Sequence, residues 1–448
     1  MSNTRKLFGT DGIRGQAGKA PLDPETVYAL GRALGEWASA HGQSPEVVIG
    51  MDTRESGPEL ASEIAGGLRD AGVASRFAGL ITTPGVAWLT RTRDFVAGVM
   101  ISASHNPYED NGIKVFDHSG FKLPDDQERQ LESRIFELIS AGVTPRPASL
   151  TIDEGLDEAY IDFLVQVTGS SFKGMRLVLD CANGAASHLA TDLFSRLGAE
   201  VHTIGCSPNG RNINLDCGAL HVDNLRAEVL RSEADAGVAF DGDADRCIMV
   251  AASGRIVDGD AALLIIARSL KESGRLRQPV VVATVMSNIG LERALKAEGL
   301  GMLRTAVGDK YVLEEMVRRD AQIGGEQSGH VILRDWATTG DGMLTALVVL
   351  DTAARSRRTL DELADAFRVF PQTLVNVRFR ERKPLDEMPK VQGEIRAAES
   401  AFGEEGRVVV RFSGTEPLAR VMVEGPDDAS VHHWAGRIAA AIREEIGG

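Results

Sequence analysis

Residues 101–114 read ISASHNPYEDNGIK, and together with the run before them they decide how the chain is built. That run, FVAGVMI (95–101), is apolar and partly β-branched and follows charged residues, so it predicts a buried strand whose C-terminal end delivers Ser104 to a loop. In open α/β sheets this is the edge where ligands bind. His105, Asn106 and Pro107 form a turn signal behind the strand, and Asn111-Gly112 marks a second turn before Lys114. The loop is built from turn residues around one hydroxyl, with His105 as its neighbour. A plain exit loop has the same composition, so its meaning rests on the rest of the chain.

Outward from this loop, strand and helix patterns alternate. PEVVIGMDTR (45–54) contains a strand, SGPELASEIAGGLRDAG (56–72) a helix, and TPGVAWLTRT (83–92) a helix opened by Pro84, the pattern of a mostly parallel, doubly wound sheet. The proline-marked stretch AGVTPRPASL (141–150) reads as a linker. A second α/β unit runs from MRLVLD (175–180) to GVAF (237–240), and a third follows through PVVVATV (279–285) and LRTAV (303–307). From Pro371 the order becomes βαββα, a separate α+β domain. The expected domains are 1–150 with the serine loop, 151–255, 256–370 and 371–448. At 448 residues the chain is too long for one core, which suits domains of about 100 to 150 residues.

The net charge of −15 argues against nucleic acid as a partner, because a phosphate backbone wants a basic stripe. An anionic small molecule would need a local positive pocket. Four cysteines without C-x-x-C spacing read as reduced thiols of a cytoplasmic protein. The apolar stretch AALLIIA (261–267) is far short of the ~20 residues of a membrane span. The oligomeric state is left open, a homodimer included.

Asp241, Asp243 and Asp245 follow the strand GVAF at alternate positions, so an extended loop projects them to one side. Such carboxylates repel one another unless a cation neutralises them, and hard oxygen donors without His or Cys favour Mg²⁺ or Ca²⁺ over zinc. An EF-hand is rejected, since Arg246 and Ala252 stand where its turn glycine and bidentate glutamate belong. A solvated acidic turn is the bland alternative. Three carboxylates fill half an octahedral shell, and a phosphorylated Ser104 would add a fourth oxygen. Arg14, in the Gly-rich FGTDGIRG (8–15), Lys114 and Arg246 are the candidate cations around that phosphate. In VVVRFSGTEPLARVM (408–422), Arg411, Ser413, Gly414, Thr415 and Arg420 are the parts of a phosphate clamp, or of a hairpin with exposed arginines. In GGEQSGH (324–330), Glu326 and Ser328 suit sugar hydroxyls and His330 a proton shuttle.

FGTDGIRG, ISASHNPYEDNGIK, DGDADR, GGEQSGH and RFSGTEP, in this order, resemble the α-D-phosphohexomutase superfamily over essentially the whole chain, and the serine and sugar loops are similar to its glucosamine-phosphate branch. The resemblance implies three related α/β domains and a smaller C-terminal domain around a central cleft. It implies interconversion of glucosamine 6-phosphate and glucosamine 1-phosphate through a phosphoserine at Ser104 and glucosamine 1,6-bisphosphate, which also serves as activator. Mg²⁺ would be held by Ser104, Asp241, Asp243 and Asp245. Arg14, Lys114 and Arg246, with His105 beside the serine, would surround the phosphoryl group, and His330 or Lys114 would handle the hydroxyl proton. Gly308, Asp309, Glu326 and Ser328 would contact the sugar, and Arg411, Ser413, Gly414, Thr415 and Arg420 the phosphate that is not reacting. The rivals are a mutase for glucose or mannose phosphates, a Mg²⁺-dependent phosphatase and a sugar-phosphate sensor.

Overall fold

The protein is described by a computed structural model covering residues 6–447 apart from Thr10, Gln43 and 414–416. The first sheet contains β1 (Ile13–Gln16), β2 (Glu46–Met51), β3 (Ala74–Leu80), β4 (Ala97–Ile101) and β5 (Asp110–Asp117), in the order β1-β5-β4-β2-β3. The second contains β6 (Arg176–Asp180), β7 (Glu200–Ile204), β8 (Ala236–Phe240), β9 (Cys247–Ala251) and β10 (Ile256–Val257), in the order β10-β9-β8-β6-β7. The third contains β11 (Val280–Thr284), β12 (Gly301–Thr305), β13 (Ile323–Gly325) and β14 (Val331–Leu333), in the order β12-β11-β13-β14.

Three α/β units therefore share one plan that no sequence repeat announces. In the second and third units the first strand pairs in parallel with the second and third, and the third pairs antiparallel with the fourth; in the first unit β2 pairs in the same way with β3 and β4, and β4 with β5, while β1 is added at the edge. The sheets are thus more mixed than the parallel pattern suggested, and the reason is local: a short loop can return a strand only beside the one it left. That hairpin loop is 102–109 in the first unit, 241–246 in the second and 326–330 in the third. All three motifs picked out by their chemistry occupy the same topological position.

The helix Gly155–Val167, unread in the sequence, joins the three units. Its Phe163 ring stacks on Trp88 of the first unit at 4.9 Å, and its Tyr160 hydroxyl donates to Asp341 Oδ2 of the third at 2.6 Å. Asp341 also caps the helix Gly342–Ser356 by accepting from the Leu344 N–H. One hydrophobic core accordingly runs from Val86 and Leu89 through Leu164 and Leu193 to Leu347. The last domain contains β15 (Gln372–Arg378), β16 (Arg407–Phe412) and β17 (Leu418–Glu424) in the order β15-β17-β16, covered by the helices Pro389–Phe402 and Asp428–Ile446, and keeps a core of its own.

Candidate active site

The serine loop and the aspartate loop meet where the first two units touch. Ser104 is 2% exposed and has φ of 52°, a left-handed conformation that strains a non-glycine residue. The surroundings impose it. Its N–H donates to Ser102 Oγ, and its carbonyl accepts from Arg54 Nη2 (3.1 Å) and Asn214 Nδ2 (2.9 Å). Arg54 is fully buried and paired with Asp52, so a fixed guanidinium anchors the loop from below. A Cβ on Gly242 would stand 2.5 Å from the Ser104 carbonyl oxygen, so glycine is what lets the two loops touch.

The Ser104 hydroxyl donates to Asp241 Oδ2 at 2.7 Å and lies 3.3 Å from His105 Nδ1. Asp241, Asp243 and Asp245 are buried, and one carboxylate oxygen from each lies within 4.8 Å of the others. Burial first, then Asp245 and Asp243, push Asp241 up to about 8. Asp243 Oδ1 has no hydrogen-bond partner, while its Oδ2 accepts from Thr83 (2.5 Å) and Lys114 (2.9 Å). A buried carboxylate oxygen without a donor, inside a cluster of three acids, suits a hard divalent cation.

Lys114 projects from β5, 1% exposed, toward Asp243, Asp11 (3.3 Å) and Asp245 (3.6 Å). Burial works against its ammonium, but those three carboxylates outweigh it and hold the pKa well above the usual lysine value. Asp245 is held well below the usual carboxylate range, because His330, Lys114 and Arg246 together overcome its burial. Arg246 places Nε 3.8 Å from Asp245 and 4.0 Å from Asp241. Burial, with Arg246 and Arg14 adding to it, lowers His105 to about 4, so its ring is neutral at neutral pH.

His330 reaches the same cluster from the third unit. Burial and the Gly340 N–H, which donates to its Nε2 at 3.0 Å, favour the neutral ring, but Asp245 Oδ1, 3.5 Å from Nδ1, with Asp309 and Glu326, outweighs them and raises His330 to about 9. Arg14, Ser104, Arg246, Asp309, Glu326 and His330 line one cavity of about 450 Å³. The neighbouring cleft, about 700 Å³, is bordered by His105, Arg246, Glu326, Ser328 and Arg420. Glu326 accepts from the Gly308 N–H at 3.1 Å, which joins the two sugar-loop segments.

Five residues that the sequence reading did not single out complete the centre. Asp11 collects Arg14, Lys114 and Lys122, and Lys122 also donates to Asp309 at 2.6 Å, bridging the first and third units. Thr83 and Asn214 brace the two loops. Arg54 alone was within reach of sequence reasoning, since MDTR ends a strand at the ligand-binding edge. In the last domain Arg411 and Arg420 stand directly opposite each other across β16 and β17. Burial and then Arg420 lower the Arg411 pKa. Ser413 is buried nearby, and Gly414 and Thr415 lie outside the described residues.

Four domain descriptions of one family match the chain in turn: phosphoglucomutase/phosphomannomutase alpha/beta/alpha domain I at residues 5–141, domain II at 158–254, domain III at 258–370 and the C-terminal domain at 374–441. The chain belongs to the phosphoglucomutase/phosphomannomutase family. A phosphoglucosamine mutase of Solibacter usitatus is 59% identical over 99% of both chains. Among solved structures of the family, a phosphoglucomutase/phosphomannomutase family protein from Burkholderia thailandensis has a TM-score of 0.80 and 26% identity over 98% of this chain and 97% of its own. An Aspergillus fumigatus N-acetylphosphoglucosamine mutase, solved with GlcNAc-6P and magnesium, has a TM-score of 0.69 and 20% identity over 99% of this chain and 96% of its own. Within this phosphohexomutase family the buried Asp241, Asp243 and Asp245 form a group that could hold a metal ion. No described helix is long and apolar enough to cross a membrane.

Proposed function

We propose that the chain is a cytoplasmic phosphoglucosamine mutase, interconverting glucosamine 6-phosphate and glucosamine 1-phosphate through glucosamine 1,6-bisphosphate. The observation that carries this reading is the Ser104 hydroxyl 2.7 Å from Asp241 of a buried three-acid cluster, in a chain 59% identical over its length to a phosphoglucosamine mutase. The domain limits expected from the sequence, at 150/151, 255/256 and 370/371, are those used in this reading.

Ser104 carries the phosphoryl group. Asp241, Asp243, Asp245 and the phosphorylated serine would hold Mg²⁺, which supplies Lewis-acid polarisation of the phosphoryl oxygen. Arg14, Lys114 and Arg246 neutralise the equatorial oxygens. In-line transfer places the attacking sugar hydroxyl on the side of phosphorus away from Ser104 Oγ, toward the residues of the third unit. The hydroxyl proton passes to His330 or Lys114, both of which neighbouring carboxylates hold toward the charged form, so the acceptor must give up a proton before it takes that of the sugar. Glu326 and Ser328 orient the sugar together with Gly308 and Asp309. Arg411, Ser413, Gly414, Thr415 and Arg420 grip the far phosphate, so that either end of the turning bisphosphate meets the same clamp.

The test combines two measurements. Intact mass after incubation with glucosamine 1,6-bisphosphate should rise by one phosphate, located on Ser104. Turnover of glucosamine, glucose and mannose phosphates should be highest for glucosamine. No phosphate gain would overturn the mechanism, and a preference for glucose or mannose would overturn the substrate.

A further inference from the structure

Three of the four cysteines gather at one end of the second sheet, away from any role assigned above. Cys181 follows β6 and Cys206 follows β7, strands that run in parallel with Asp180 opposite Ile204. The two chains leave the sheet side by side: the Cys181 N–H donates to the Ile204 carbonyl and the Asn183 N–H to the Gly205 carbonyl. The thiols of Cys181 and Cys206 are close enough for each to shift the titration of the other. Cys181 is buried, while Cys206 is partly exposed.

The four thiols differ in reactivity. Cys181, supported by the Thr191, Thr203 and Ser187 hydroxyls against partial burial, holds Cys206 down to about 6. When Cys206 carries its proton, the Ser187 carbonyl accepts it at 2.8 Å. Burial, with Asp180 next, pushes Cys217 up to about 11, and burial raises Cys247 as well. An accessible, thiolate-forming cysteine with a second thiol close by is the arrangement of a peroxide-sensitive pair.

The loop between the two sulfurs also touches the centre. Ala182 and Asn183 are consecutive left-handed residues, the Asn183 carbonyl accepts from Thr53 Oγ1 at 2.6 Å, and the Ala185 N–H donates to the Gly242 carbonyl at 2.8 Å. A Cβ on Gly184 would lie 2.4 Å from the Gly242 oxygen. The Cys181 loop and the Asp241–Asp243 loop are therefore packed without clearance, and a change at one sulfur is felt by the other loop.

We propose that Cys206 and Cys181 form an oxidisable dithiol whose closure to a disulfide by a hydroperoxide lowers the activity of the enzyme. The Cys206 sulfur attacks the terminal peroxide oxygen, the O–O bond breaks, and the other oxygen leaves as water or an alcohol, giving a sulfenic acid. The Cys181 sulfur then attacks the Cys206 sulfur and displaces its hydroxyl as water. Two thiols lose two electrons and one peroxide is reduced. The activity readout rests on the function proposed above, whereas the mass readout does not.

The experiment exposes the full-length protein to hydrogen peroxide, blocks free thiols with iodoacetamide, and measures intact mass, peptide mass and turnover. The expected product has lost two hydrogens, about 2 Da, in a peptide linking Cys181 to Cys206. Turnover falls several-fold, and dithiothreitol restores both. Cys206→Ser keeps its basal turnover and forms no cross-link. Cys181→Ser retains a sulfenic acid on Cys206 that dimedone traps. The proposal is overturned if Cys206 remains alkylatable after peroxide, or if it is oxidised to a sulfinic acid without cross-linking. A cross-link that leaves turnover unchanged overturns the coupling to the aspartate loop.

Discussion

The centre around Ser104 and the strand pair bearing Arg411 and Arg420 are both rich in cations, yet they are balanced in opposite ways. Lys114 lies within 3.6 Å of three carboxylates, and Asp11 serves three cations at once, so the centre is neutralised internally and fixed before any substrate arrives. Arg411 and Arg420 instead face each other across neighbouring strands, where the charge of Arg420 disfavours that of Arg411. The first region sits among units that share one core, and the second on a domain with its own. In the function proposed above, the reacting phosphate would meet groups already paired with one another, and the far phosphate a pair of like charges.

The sharpest break of this comparison is at the nucleophile. Ser104→Ala should lower turnover by about four orders of magnitude or more while leaving the melting temperature within a few degrees, since it removes one hydroxyl and no packing. Measurable turnover near wild type would remove the serine from the chemistry. Asp243→Asn comes next. It should cost more than about 100-fold in kcat and abolish the dependence on added Mg²⁺, because Asp243 serves both the cation site and Lys114. A titration with Mg²⁺ decides this, and an unchanged response would place the metal elsewhere.

Arg420→Ala tests the clamp. Losing one charge-assisted contact should cost about 1.5 to 3 kcal/mol, or roughly one to two decades in kcat/KM in each direction. Equal losses are tied by the overall equilibrium, so the telling measurement is escape of glucosamine 1,6-bisphosphate, which should exceed that of wild type. The smallest effect is expected at Lys122→Met, which breaks the bridge from Asp11 to Asp309. Because that bridge is partly exposed to solvent, the loss should be only about three- to tenfold and fall mainly on KM for the sugar phosphate. Lys122→Arg should recover most of it.

What could be read from the sequence was what lies close together along it. The serine loop, the alternating aspartates and the arginines of the clamp each fit within fifteen residues, so turn chemistry and strand alternation revealed them. The positioning groups are different. Lys122 meets Asp309 across 187 residues, Thr83 meets Asp243 across 160, and Tyr160 meets Asp341 across 181, and no local pattern marks either partner of such a pair. The α/β class and the βαββα tail followed from periodicity, whereas the antiparallel strand that closes the hairpin of each unit did not, because an apolar run carries no sign of its direction. Proton handling was also left open between Lys114 and His330. The structure surrounds both with carboxylates, Asp11, Asp243 and Asp245 at Lys114 and Asp245 and Asp309 at His330.

The shared hairpin position of the three chemical loops has a consequence for how such an enzyme can change. Each unit presents its turn at the same corner of the same framework, so the loops proposed to donate the phosphoryl group, to carry the acids and to read the sugar all come from one topological position. Substitutions at 326–330 can retune which sugar is admitted without touching the strands that hold Ser104 or Asp241. Selection for a new substrate can act on one loop at a time, while the machinery of phosphate transfer is inherited intact.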